Sequence, residues 1–120
     1  MSDSKRPSWA ASGVVDAPPK EVWKALVGFL KDSGMGEVTV NEAERRVSLQ
    51  GDWWYRGEHI VKEHDGGSLI QYQVYNIASG ATRWMVPLVA PSNGKLRDGF
   101  QELLRGLGQS LRAGARYRGK

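Results

Sequence analysis

At 120 residues, with 40% hydrophobic and 25% charged residues, the chain has the composition of one folded globular domain and is too short for two ordinary cores. It contains no cysteine, which excludes disulfides, thiol catalysis, iron–sulfur clusters and cysteine zinc sites. The formal net charge is +4, with Arg105, Arg112, Arg116, Arg118 and Lys120 crowded at the C-terminal end, where they read first as a solvated tail and second as an anion-attracting one.

Met1 to Pro7 is polar, carries Lys5 and Arg6, and has no apolar stretch behind it, so neither a secretory signal nor a membrane span is expected and the expected compartment is the cytoplasm. Trp9 to Ala17 is short and mostly apolar and reads as a first strand. Pro18 and Pro19 stop it, because proline cannot donate to a sheet ladder, and suit the first turn of a helix, with Asp16 placed to cap it. The helix is expected over 19–31, where Val22, Trp23, Leu26, Val27 and Leu30 make one apolar stripe and Lys20, Lys24 and Lys31 take the wet side. Gly34 suits the left-handed position past its end.

Beyond Gly36 the hydrophobic period becomes two. Val38 and Val40, then Val47 and Leu49, alternate with polar residues on either side of a turn at 41–44, which predicts a hairpin. Strands follow over 53–64 and 68–77, joined by Asp65-Gly66-Gly67, and a last one over 82–89. Pro91-Ser92-Asn93-Gly94 leads into a final helix over 95–115, whose Leu96, Phe100, Leu103, Leu107 and Leu111 recur at steps of four, three, four and four. The expected order is β-α-β-β-β-β-β-α in a single domain over 9–115, with a flexible segment at 1–8 and a basic tail at 116–120.

Alternation sorts the strands into faces. Trp53, Tyr55, Gly57, His59 and Val61 form the more apolar face of one, and Ile70, Tyr72 and Val74 the core face of the next. Arg56, Glu58 and Lys62 read as ordinary surface charges; Trp84, Val86 and Leu88 share a face of the last strand. The last helix carries Gly99, Gly106 and Gly108, each less favourable there than alanine by about 0.5–1 kcal/mol. They leave room either for a ligand under the sheet or for bulky Trp and Tyr side chains.

The run Val14-Val15-Asp16-Ala17-Pro18-Pro19-Lys20-Glu21-Val22-Trp23 has a strand ending in Asp-Ala-Pro and a helix opening with an acidic residue, Val and an aromatic. With the sheet-rich middle and the long last helix, it resembles the START-like superfamily, also called SRPBCC, the Bet v 1-like or helix-grip fold, which includes polyketide cyclase/dehydrase-type proteins. The resemblance implies an α+β fold in which a curved antiparallel sheet wraps around a long C-terminal helix and holds a hydrophobic small molecule, lipid or polyketide-like, between them. The segment between Lys31 and Val38 is too short for the second helix of the fuller pattern. The superfamily has no universal catalytic signature, so the resemblance assigns no catalytic residue.

His59 and His64, the two histidines, are an odd step apart and point to opposite faces of one strand, so they do not make a metal site. His59 shares a face with Trp53 and Tyr55, where it reads first as a core histidine hydrogen-bonded to Tyr55 or a backbone carbonyl, and second as a polar group that orients a ligand or acts as an acid or base near neutral pH. No serine–histidine–acid constellation, phosphate-cradling loop or dinucleotide fingerprint is present, and no cofactor is expected. The expected ligand site is lined by Trp53, Tyr55, His59, Tyr72 and Val74 of the sheet and by Leu96, Phe100, Leu103 and Leu107 of the helix. One alternative is a protein-interaction or homodimer module with a filled core, to which exposure of Trp54 or Trp84 would point. The other is nucleic-acid binding through Arg112, Arg116, Tyr117, Arg118 and Lys120, which the inward assignment of most aromatics disfavours.

Overall fold

The structure, a computed structural model, describes residues 7–51, 55–77 and 92–119. Strand β1 (Trp9–Val15) leads into helix α1 (Pro19–Ser33), followed by β2 (Glu37–Asn41), β3 (Arg46–Gly51), β4 (Tyr55–His64) and β5 (Gly67–Asn76); helix α2 (Asn93–Leu111) and strand β6 (Ala115–Gly119) complete the described elements. The described strands make one antiparallel sheet in the order β2-β3-β4-β5-β1-β6, so the architecture is α+β. The strand expected over 82–89 lies outside the described residues, with Trp84, Val86 and Leu88.

The local sequence accounts for most boundaries. Pro19 opens α1 as expected, but Pro18 stands at the cap position and no side chain caps the helix. Asp16 instead accepts two bonds from the Arg116 guanidinium, at 2.8 and 3.3 Å. Gly34 ends the helix at φ +64°, the left-handed position. The β4–β5 hairpin turns on Asp65 and Gly66, both at positive φ (48° and 81°), a mirror-type two-residue turn whose twist matches that of the strands. At the start of α2, the Ser92 hydroxyl accepts from the Lys95 N–H at 3.2 Å.

Two expectations fail at the C-terminal end. Helix α2 stops at Leu111 rather than near Ala115, because Arg112 takes the left-handed conformation at φ 53° and turns the chain back on itself. The basic segment expected to be a solvated tail is strand β6, antiparallel to β1, and the Ser12 hydroxyl donates to the Gly119 carbonyl at 3.1 Å. A five-residue stretch with alternating charges has too weak a hydrophobic pattern to announce a strand; the exposed edge of β1 supplies the hydrogen bonds. Pairing also starts earlier than Trp9, since the Ser8 N–H donates to the Val74 carbonyl at 2.7 Å, within the segment expected to be flexible.

Both helices cover the same face of the sheet, α1 against β2, β4 and β5, and α2 against β1 and β6. Val15, Val22, Leu26, Val47, Ile70 and Leu107 are fully buried between them. Each such side chain contributes about 1.5–3 kcal/mol by leaving water. The Trp23 indole N–H donates to Glu42 at 2.8 Å, tying α1 to the β2–β3 turn.

The buried stripe of α2 differs from the expected one. Phe100 and Leu107 are buried, but Leu96, Leu103 and Leu111 are only partly so, and Leu104 takes a central core position. It packs on Gly13 of β1, where a Cβ would come within 2.5 Å of a Leu104 methyl. Among the described residues, the glycines of α2 meet no Trp or Tyr. A Cβ on Gly106 would touch the Phe29 ring of α1 at 3.4 Å, Gly108 lies against Ala113 and Ala115, and Gly99 has no described atom within 4 Å.

Candidate aromatic–histidine site

Alternation along β4 and β5 does place Tyr55, Gly57, His59 and Val61 on the inner face beside Ile70, Tyr72 and Val74. Tyr72 is the hub. It lies opposite His59 across the β4–β5 ladder and opposite Ala11 across β5–β1. The His59 imidazole stacks on one side at a centroid distance of 4.4 Å and 13° between planes. Phe100 of α2 stacks on it at 5.2 Å, and Trp9 of β1 meets its ring edge-on at 5.8 Å. Such aromatic pairs each add about 0.5–1.5 kcal/mol beyond area burial.

A polar pair sits inside this cluster. The hydroxyls of Tyr55 and Tyr72 are 2.5 Å apart. Tyr55 reaches along its own strand to make the bond, crossing Gly57, where a Cβ would stand 2.3 Å from the Tyr55 hydroxyl. Burial raises the pKa of both phenols, and the hydrogen bond with Tyr72 partly offsets that rise in Tyr55. Both therefore stay protonated at neutral pH.

His59 is 4% exposed, and its Nδ1 is buried without a hydrogen-bond partner among the described residues. Burial depresses its pKa from 6.5 to about 3, so the imidazole is neutral at physiological pH. Among the described residues Nδ1 makes neither of the bonds expected of a satisfied core histidine, to Tyr55 or to a backbone carbonyl, and the Tyr55 hydroxyl bonds Tyr72. A neutral imidazole nitrogen either accepts or donates a hydrogen bond according to tautomer, so this atom can meet a hydroxyl or a carbonyl, but not as an ion.

Of the residues expected to line a site, Tyr72, Val74, Phe100 and Leu107 belong to one core cluster and His59 stacks on its Tyr72; Tyr55, Leu96 and Leu103 pack at its margin, and Trp53 lies outside the described residues, as does Trp54. Trp9, Leu104 and Tyr117 were not among them. Tyr117 comes from β6 and meets Phe100 edge-on at 6.2 Å, which the reading of that segment as a tail concealed. The charges on the opposite sheet face also differ from expectation. Glu58 is buried, held by Arg46 at 2.7 Å and Arg56 at 3.1 Å, so it is no ordinary surface charge.

His59 and His64 occupy opposite faces, and no group of three metal-ligating side chains occurs among the described residues. His64 lies on the outer face, 3.2 Å from the Arg118 guanidinium. No described helix is long and apolar enough to cross a membrane. Two surface grooves, of about 560 and 310 Å³, flank β6 and β1 rather than the His59 cluster. No family model and no curated protein matches the chain.

Proposed function

We propose that the chain is a compact helix-grip domain that binds a small, neutral, hydrophobic or aromatic molecule against the cluster of His59, Tyr55, Tyr72 and Phe100. The observation that carries this reading is the Nδ1 of His59, buried without a partner among the described residues, on a ring that stacks on Tyr72, the hub of the aromatic cluster. A buried polar atom without a partner costs about 1–3 kcal/mol, which an apolar residue at the same position would avoid. A ligand hydroxyl or carbonyl at this nitrogen offsets that cost, and the surrounding rings supply apolar contact. The site has a neutral imidazole and two protonated phenols, which favours an uncharged polar group over a carboxylate.

The stacking of Tyr72 between His59 and Phe100 favours a second reading, a protein-interaction or homodimer module whose core is filled. Backbone amide NMR titration with a fatty alcohol, a sterol and a naphthol separates the two. Saturable shifts centred on Tyr55, His59, Tyr72 and Phe100, with a change in the His59 ring nitrogens, are expected for ligand binding. If none of the three compounds moves these signals, the ligand reading is lost and the filled core stands.

A further inference from the structure

A groove of about 560 Å³ runs between the C-terminal half of α2 and strand β6, on the far side of Phe100 from His59. Its volume falls within the range of about 300–1,000 Å³ of sites that hold small organic ligands. One wall is a single helix face, Leu104, Arg105, Gly108, Gln109 and Arg112, spaced at alternating steps of one and three. The other wall is Ala113, Ala115 and Tyr117. Leu104, Gly108, Ala115 and Tyr117 give the groove an apolar strip, with Gln101, Arg105, Gln109 and Arg112 as its polar lining.

The charges in and beside the groove are not equivalent. Arg105 is tied to Glu102 and Arg116 to Asp16. Arg112 has no ion-pair partner among the described residues. It also stands at φ 53°, a left-handed conformation strained for arginine, where glycine or asparagine would close the helix without that cost. The groove is thus lined by one guanidinium that has no ion-pair partner among the described residues.

We infer that this groove binds an apolar molecule carrying a single carboxylate, its hydrocarbon or ring against Leu104, Ala115 and Tyr117 and its charge on Arg112. The site is separate from the His59 cluster and differs from it in the charge it selects. Arginine suits the role because its planar fork matches a carboxylate with two parallel N–H bonds.

The test is amide NMR titration of the full chain with naphthoate and with the neutral naphthamide. Saturable shifts are expected at Leu104, Ala113, Ala115 and Tyr117, with naphthoate binding about fivefold more tightly, the scale of one exposed charge pair. Arg112→Gly should abolish that preference without lowering the melting temperature, since it relieves the positive φ, whereas Arg112→Lys should keep part of it. Equal affinity for the two probes, an unchanged preference in Arg112→Gly, or shifts confined to Tyr55, His59 and Tyr72 would overturn the groove. The last of these outcomes would leave the His59 site standing, so the two readings fail separately.

Discussion

The Tyr55 hydroxyl meets the Tyr72 hydroxyl at 2.5 Å only because the residue between them on the inner face is Gly57. Gly57→Ala puts a methyl group where the Tyr55 phenol lies. We expect a loss of about 1–2 kcal/mol in urea unfolding, the usual scale of overpacking. Tyr55→Phe removes the atom closest to the new methyl, so the same substitution should cost less in that background. A double-mutant cycle showing simple additivity would mean that Tyr55 does not lie across Gly57.

His59 makes stability depend on pH in a defined window. Its folded pKa, about 3, lies below the unfolded value of 6.5, so the unfolded chain binds the extra proton between them. Stability is then fully present above pH 6.5 and falls on acidification towards pH 3, with a slope of at most about 1.4 kcal/mol per pH unit. His59→Phe should flatten this slope between about pH 4.5 and 6.5, above the range where carboxylates dominate. Parallel slopes for parent and variant in urea titrations would show that His59 is not the titrating group.

The tight packing of Leu104 of α2 on Gly13 of β1 predicts a strong coupling. Gly13→Ala should destabilise by about 2 kcal/mol, because the Arg116 carbonyl at 3.1 Å blocks the other direction of escape. Leu104→Ala should also destabilise, by about 2–5 kcal/mol, through the cavity it leaves. The pair together should cost less than the sum, since the new methyl of residue 13 enters that cavity. Thermal unfolding of the four proteins checks this directly.

These relationships mark where sequence patterns suffice and where they do not. The inner faces of β4 and β5 and the turn at Asp65-Gly66 were legible, because a period of two and a turn dipeptide are local signals. So was the stripe of α1, whose buried residues Val22, Trp23, Leu26 and Leu30 fall at helical spacing. Helix α2 faces three surfaces, with Gly106 on Phe29, Leu104 on Gly13 and Gly108 against the start of β6. Its leucines at 103 and 104 both fit a helical stripe, and only the position of β1 decides between them. The partner of Asp16 was equally hidden, since Arg116 lies 100 residues away.

Removal of residues 115–120 should not behave as the trimming of a tail. It strips β1 of a neighbour and uncovers the edge of Phe100. We expect a loss of at least about 2 kcal/mol from the lost ring contact and apolar burial. An unchanged melting temperature in the shortened chain would show that β6 contributes little to the fold.

Strand β1 is held between β5 and β6, and the Ser12–Gly119 bond joins residues 107 positions apart. Closing so long a loop costs entropy before any contact rewards it, whereas the β4–β5 hairpin forms across two residues. On this ground we expect assembly to run from the hairpin outward, with the β1–β6 ladder among the last to form. Its short register makes it the first to open again, and backbone amides there should exchange with solvent through local excursions that leave β4 and β5 protected.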